Sequence, residues 1–526
     1  MHDATLTAVG QRAGRRQWLG LAALALPTLL VAIDNGVLIL ALPKLSADLE
    51  VSGTQQLWIT DVYGFMLAGW LITMGTLGDR IGRRLLLMVG ATAFTAASVV
   101  AAYSTSAEML IFARAAMGVA GATLMPSTLA LIMNMFADAK QRGFAIASWA
   151  TCQFVGSALG PVVGGLLLEH FWWGSVFLLG VPVMLVLLLV GRALLPEYRS
   201  PGSGRLDLVS VAVSLAAILP IIYGMKELAV HSGADPVVPT TALVVGLIFA
   251  VVFVQRQRRL DAPLLDLSLF RNRSFTVLLC TMLFNGAAMA GLGLLSSQYV
   301  QSVAGLTPGQ SGLSLAPMGI SIAAGTMLAP LLVRRIRQGT VISAGLVLST
   351  LGFVLMTQVD ATGGLFLVVV GIVFIFLGDG PLVALGTGLI MGSVPPERAG
   401  SAAAMSETSL NLGGTLGMAV LGTVGAAIYR NQMADAVPAG LSAEDSAVAR
   451  ETIAGATAVA DKLPAGPAGQ LLDAAREAFT SGLNVAATIG VVIFVVFTIL
   501  TAVTMRQRDR EAAAAEQTPT EAPATA

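Results

Sequence analysis

From Trp18 to Met505 the sequence is a succession of apolar runs of about 20 residues, each bounded by charges or turn signals, and a run of that length crosses a bilayer as a helix. Charged residues make up 11% of the 526, where soluble domains carry about a quarter. The 57 glycines suit helices that pack closely through small residues. The sequence therefore predicts an all-α polytopic membrane protein. Its formal net charge of zero gives no electrostatic case for nucleic acid. Cys152 and Cys280 lie in apolar segments as packing residues, with neither a disulfide framework nor metal-ligand spacing around them.

Six runs begin at Trp18, Gln56, Leu85, Glu108, Gly143 and Trp172 and close near Leu195. Two more follow at 206–228 and 238–254, then a second six at 274–299, 310–333, 340–359, 363–394, 399–428 and 480–505. The expectation is fourteen spans. With both termini cytoplasmic, Lys44, Lys226, Arg430, Arg450, Lys462 and Arg476 fall outside, Arg114 falls within a span, and the other 23 of the 30 Lys and Arg fall inside. That split obeys the positive-inside rule. The chain then divides into a cytoplasmic segment (1–17), a first set of six helices (18–200), two additional helices (201–260), a second set of six (261–510) and a disordered cytoplasmic tail (511–526). The long outer loop, 431–479, is expected to hold one helix capped by Ser442. Pro464 and Pro467 would break it before a second around 469–479, with Leu471, Leu472, Ala475 and Phe479 on its apolar face.

A few ionisable residues are out of place in this frame. Asp34 sits in an apolar run, 24–42, otherwise free of charge until Lys44. An intramembrane carboxylate is costly enough that its default reading is an ion or substrate site facing a protein-lined cavity. Asp61, Arg114, Asp379 and Glu407 repeat the choice. From the helical rise, Asp34 lies roughly 24 Å from Trp18 and Glu407 roughly 12 Å from Ala399, which puts Asp34 nearer the outer half and Glu407 deeper inward.

Three stretches carry a more specific pattern. The loop after the second span reads Gly75-Thr-Leu-Gly78-Asp79-Arg80-Ile-Gly82-Arg83-Arg84, where glycines permit a tight turn and Asp79 with the arginines offers a charge relay at two helix ends. The fourth span carries Arg114-Ala-Ala-Met-Gly118-Val-Ala-Gly121. The fifth carries Gly156-Ser-Ala-Leu-Gly160-Pro161-Val-Val-Gly164-Gly165, a flat glycine stripe beside a proline that loosens the backbone. In this order and spacing the three segments resemble the signature of the drug:proton antiporters of the major facilitator superfamily. Asp34-Asn-Gly-Val-Leu-Ile-Leu-Ala-Leu-Pro43 is similar to that group's first-span motif, and fourteen spans match its larger branch. The stretch from Gly53 to Tyr63 (Trp58 and Asp61 included), Ser406-Glu407 and the long outer loop are most similar to the QacA/SmvA/LfrA-like pumps for quaternary ammonium compounds and cationic dyes.

The resemblance covers nearly the whole chain. It implies two six-helix bundles around a central cavity, alternating access, and drive by the proton motive force with no cofactor. Two departures bear on substrate range, dications above all. Span ten offers Ser321 where some relatives are acidic, and Asn411 stands one turn after Glu407 where others carry an acid; Asp379 is a replacement charge from span twelve.

The mechanism expected is competition. Burial in low dielectric favours the neutral form of an isolated carboxylate, so a proton and a lipophilic cation exclude one another there, and proton entry is coupled to cation exit. Asp34 is the expected main protonation site, with Arg114, Glu407 and Asp379 also in proton coupling and Arg114 tuning Asp34 or holding a carboxylate charged. Asp34, Asp61, Glu407 and Asn411 are the cation partners, with Trp58, Tyr63, Phe154 and Phe284 as faces on which a flat cation can stack.

An uptake symporter shares this architecture. A channel would want rings of repeated polar residues, and single acids on different helices are present instead. No nucleophile–base pair, metal cluster or phosphate-binding motif is present in the sequence: His2, His170 and His231 lie at the N-terminus or in expected outer loops. The expectation is a non-enzymatic exporter of lipophilic cations, functional as a monomer, in a bacterial cytoplasmic membrane. The alternative is self-resistance export of one natural product.

Overall fold

The computed structural model describes residues 13–51, 53–199, 207–230, 237–260, 263, 265, 267–394, 399–438 and 441–517. Within them the chain is helical throughout, and twelve helices are long and apolar enough to cross a membrane. The first bundle consists of α1 (Arg15–Asp48), α2 (Gly53–Ile81), α3 (Arg83–Ala102), α4 (Ala107–Met135), α5 (Ala139–His170) and a sixth passage made of α6 (Ser175–Leu178) and α7 (Gly180–Leu194). Helices α2 and α5 fall outside the twelve; they carry Asp61, Asp79 and Arg80, and Lys140 and Arg142 with a glycine stripe, yet run 29 and 32 residues within the same bundle. Counting them, fourteen long helical passages follow the expected order.

Two accessory helices, α8 (Leu208–Val230) and α9 (Val237–Gln257), pair with each other. The second bundle comprises α10 (Arg273–Gln298), α11 (Pro308–Leu332), α12 (Gln338–Met356), α13 (Leu365–Pro381) continued through a π-helical segment, Leu382–Gly386, into α14 (Thr387–Gly392), α15 (Ala399–Ala436) and, beyond the loop, α18 (Ala465–Gln517). Pairing repeats between bundles. In the first, α1 packs on α5, α2 and α3 on α4, and α7 on α1 and α3; in the second, α10 packs on α15, α11 and α12 on α13, and α18 on α10 and α12. Each bundle has its own apolar core, and the two meet through α2 and α4 against α15 and α5 against α11. The accessory pair lies along the α2–α15 seam through α8.

Small residues make these contacts possible. A Cβ at Gly156 would come within 2.5 Å of the Leu29 carbonyl oxygen, and one at Gly164 within 2.9 Å of Val37, so the α5 stripe is where α1 lies backbone to backbone against it. Gly165, exposed and off that face, has nothing within 4 Å, and Gly160 is buried.

The loop differs from its expectation. Ser442 does cap a helix, α16 (Ala443–Glu451), by accepting from the Asp445 amide, but Thr452 caps a further one, α17 (Ile453–Ala460), before the prolines. The segment around 469–479 is not a separate helix: it is the start of α18, running unbroken into the last span because proline is tolerated in a first turn that needs no amide donor. Leu471, Ala475 and Phe479 on that stretch, with Ile453, Ala456 and Val459 of α17, are buried in the second core, and Tyr429 Oη donates to the Ala449 carbonyl at 3.0 Å. The tail expected to be disordered from 511 continues α18 as far as Gln517; 518–526 lie outside the described residues.

Candidate functional site

In the first bundle Asp34 is not isolated. Arg114 Nη1 on α4 lies 2.7 Å from Asp34 Oδ2 on α1, with the side chains 1% and 8% exposed. The guanidinium is held from several sides. Its Nε donates to the Ile59 carbonyl of α2 at 3.3 Å, and its carbon sits 4.7 Å from the centroid of the Tyr63 ring and 5.9 Å from that of Phe177. A desolvated pair of this kind needs such added contacts to repay its lost hydration. Gly118 and Gly121 explain how α4 gets close enough. A Cβ at Gly118 would collide with the Tyr63 carbonyl oxygen, and one at Gly121 would sit 3.1 Å from Tyr63 Oη, itself buried with no hydrogen-bond partner among the described residues.

The second bundle holds its carboxylates differently. Asp379 is 2% exposed near the end of α13, two residues before Pro381, after which the π-helical segment begins. Its neighbour is Asn285 on α10, 3% exposed. Glu407 on α15 is 6% exposed and no cationic side chain among the described residues acts on it. Asn411, one turn on, is exposed and donates to the Glu407 backbone carbonyl at 2.8 Å, and Ser406 Oγ lies 3.0 Å from Met282 Sδ.

The glycine-arginine loop is a knot of buried charge. Arg83, 0% exposed, donates to Asp79 Oδ1 through Nε at 3.0 Å and through Nη2. Gly78 leaves room for it, since a Cβ there would lie 2.6 Å from Arg83 Nη1. Gly82 turns the chain at φ +118°, a conformation that suits glycine. The segment after α7 closes over the loop. Glu197 accepts from the Arg84 amide at 3.1 Å and faces its guanidinium at 3.4 Å, the Tyr198 carbonyl accepts from the Arg83 amide at 2.9 Å, and Arg199 Nε donates to the Arg80 carbonyl at 3.0 Å. Across the bundle boundary, Ser401 Oγ of α15 donates to Asp79 Oδ2 at 3.5 Å. Gly75 is buried beneath. Beside the knot, Asp207 pairs with Arg256 at 2.8 Å and accepts from Ser210 at 2.7 Å, fastening α8 to α9, and its charge also acts on Arg80.

The expected aromatic faces separate. Tyr63 joins Arg114 and Asp34. Trp58, 39% exposed, stacks on Tyr223 of α8 with centroids 6.2 Å apart, and Phe284, 42% exposed, packs on Phe497 of α18 at 5.1 Å, so both make contacts between helices. The side chains of Asp61, Phe154 and Pro161 lie outside the described ones. The sequence reading does not single out Asn285, although an amide near the middle of the apolar run 274–299 falls under the rule that singled out Asp34. It had no signal for Glu197, Tyr198, Ser401 or Tyr223, which act only through distant partners.

Two helical bundles with repeated pairing, carboxylates buried in both, and a charged knot bridging their ends define the class: a multi-pass membrane transporter. The family model of the Major Facilitator Superfamily matches residues 24–418, and the chain belongs to that superfamily. It is 43% identical over 500 residues to the multidrug efflux pump LfrA of Mycolicibacterium smegmatis, covering 94% of this chain and 98% of that one. It is 34% identical to the methyl viologen resistance protein SmvA of Salmonella typhimurium (90% and 94% covered) and 30% identical to the tetracenomycin C resistance and export protein of Streptomyces glaucescens (90% and 89%). Among solved structures, the human organic anion transporter MFSD10 shares the fold, with a TM-score of 0.58, 15% identity and coverage of 91% of this chain and 99% of that one.

Proposed function

We propose that this protein exports lipophilic, cationic drugs or biocides across the bacterial cytoplasmic membrane in exchange for protons, by alternating access of its two bundles. The observation that carries the reading is the buried Asp34–Arg114 pair, supported by similarity over nearly the full chain to LfrA and SmvA. A proton arriving at Asp34 removes the charge that holds Arg114, freeing the guanidinium from α1 while Ile59 and Tyr63 of α2 retain it. A cation competes for the same carboxylate, so proton and drug alternate there. Glu407, buried without a cationic partner among the described residues, is the second anchor for a cation, with Asp61 and Asn411 as further polar contacts and Tyr63 and Phe154 as aromatic ones. The Asp79–Arg83 knot, together with Ser401, holds the two bundles closed on the cytoplasmic side in one state of the cycle and parts in the other. If net positive charge enters, the membrane potential adds about 2.3 kcal/mol per charge per 100 mV. Both termini are cytoplasmic and one chain contains a complete site, so a monomer suffices.

The test uses everted membrane vesicles with an inside-acid gradient and a pH-sensitive dye. Adding ethidium or a quaternary ammonium compound should collapse the gradient with the native chain and not with Asp34→Asn. No response to any lipophilic cation, with folded protein in the membrane, would favour a narrow exporter of one natural product, the reading that the tetracenomycin relative favours.

A further inference from the structure

We propose that Asp379 and Asn285 form a second proton-binding site, in the second bundle, where a single proton on Asp379 Oδ1 is donated to the Asn285 amide oxygen. The site extends the antiporter reading and rests on it only for its part in transport.

The two side chains come from α13 and α10 and are 2% and 3% exposed. The Asn285 amide hydrogen-bonds the Asp379 carboxylate. Each residue nevertheless keeps one buried oxygen, Asp379 Oδ1 and Asn285 Oδ1, with no hydrogen-bond partner among the described residues. Both are acceptors, so nothing but an intervening donor satisfies them, and buried acceptors left unmade are costly. A carboxylic acid and a primary amide are complementary: the amide N–H bonds one acid oxygen while the acid O–H bonds the amide oxygen. One proton taken up by the carboxylate turns two orphaned acceptors into a donor and an acceptor. The Asp34 carboxylate is neutralised by an arginine; this one is offered an amide, which suits the protonated acid.

The surroundings favour a proton over a larger ion. At Gly325 and Gly380, α11 and α13 touch backbone to backbone, as do α12 and α13 at Gly345 and Gly378. Ser349 of α12 uses its hydroxyl on the Ile375 carbonyl at 2.8 Å. The elements packed on α13 are α11, α12 and the π-helical segment, and α10 reaches Asp379 through Asn285. From these, and from Glu407 on neighbouring α15, no charged group among the described residues acts on Asp379. Pro381 has no amide to offer the Leu377 carbonyl one turn back, and the π-helical segment that follows is of a kind that recurs at functional sites.

Infrared difference spectroscopy of the purified full-length protein in lipid discs, titrated across the physiological pH range, tests this directly. The native chain should show the carbonyl band of a protonated carboxylic acid that vanishes in Asp379→Asn and persists in Asp34→Asn. In Asn285→Leu, similar in volume, the band should move to higher frequency, because the amide N–H no longer weakens the acid's C=O bond. A band set identical in native and Asp379→Asn protein overturns the proposal, as does a band that ignores Asn285→Leu. Gradient collapse by ethidium distinguishes the two readings. The band present without collapse removes the antiporter reading and leaves the site; collapse without the band removes the site alone.

Discussion

The Ser401 hydroxyl reaches the Asp79 carboxylate at 3.5 Å across 322 positions of sequence, joining the start of α15 to the end of α2 and so one bundle to the other. The same carboxylate holds Arg83, and the segment Glu197–Tyr198–Arg199 binds the loop on its remaining side. One side chain thus belongs both to a local turn and to the seam between the two bundles.

Asp79→Asn leaves the Arg83 guanidinium, 0% exposed, without a counter-charge, at a cost of about 3–5 kcal/mol. The expected result is a lower melting temperature of the detergent-purified protein and much slower export. Because the two groups act as a unit, Asp79→Asn with Arg83→Met should be more stable than Asp79→Asn alone. A double variant that melts no higher than the single would contradict the pairing.

Gly82 adopts φ +118°, and a Cβ there would meet Glu197 Oε1 at 2.6 Å. Gly82→Ala should cost about 1–3 kcal/mol from the backbone alone. Shortening the obstructing side chain, in Gly82→Ala with Glu197→Ala, should not recover the backbone share. Thermal unfolding of the two variants separates strain from collision.

Arg114→Lys should fail to restore export. An ammonium is a compact point charge, whereas the guanidinium spans Asp34, the Ile59 carbonyl and the Tyr63 face at once. Proton-driven ethidium efflux is expected to drop about 100-fold or more, a loss of about 2.7 kcal/mol in the coupled step. Efflux within a few-fold of native would show that charge alone suffices.

Asp207 lies outside the spans, where burial works to raise its carboxyl but hydrogen bonds from Ser210 and Arg256, with the arginine's charge, outweigh it and hold it below its ordinary 3.8. A depressed folded value means the contribution is complete above the unfolded value and is lost as pH falls through the folded one. The melting difference between native protein and Asp207→Asn should therefore be constant near neutrality and shrink toward zero on acidification below 3.8. A difference that grows in acid would reverse the assignment.

Much of the fold was legible because the properties that specify it are local. An apolar run has a length whatever its neighbours do, and a bilayer imposes the same length on each, so the helices and their order follow from counting, whereas the two-bundle plan came with the family resemblance. The long outer loop was less legible. Thr452, which caps α17, looks like any other threonine until its hydroxyl accepts from the Gly455 amide, and Pro464 and Pro467 read as breakers although they sit at a helix start.

The sequence by itself determined the membrane class, the helix order and the presence of buried acids at Asp34, Asp379 and Glu407, since desolvation marks such residues one at a time. What those acids face was decided by tertiary structure. Arg114 meets Asp34 from 80 positions away because glycines let α4 lie against α2, Asn285 meets Asp379 because α10 packs in the same core as α13, and Glu407 is left without a cationic partner among the described residues. Partner identity is a property of packing, and packing through backbone contact carries no signature that a single residue displays.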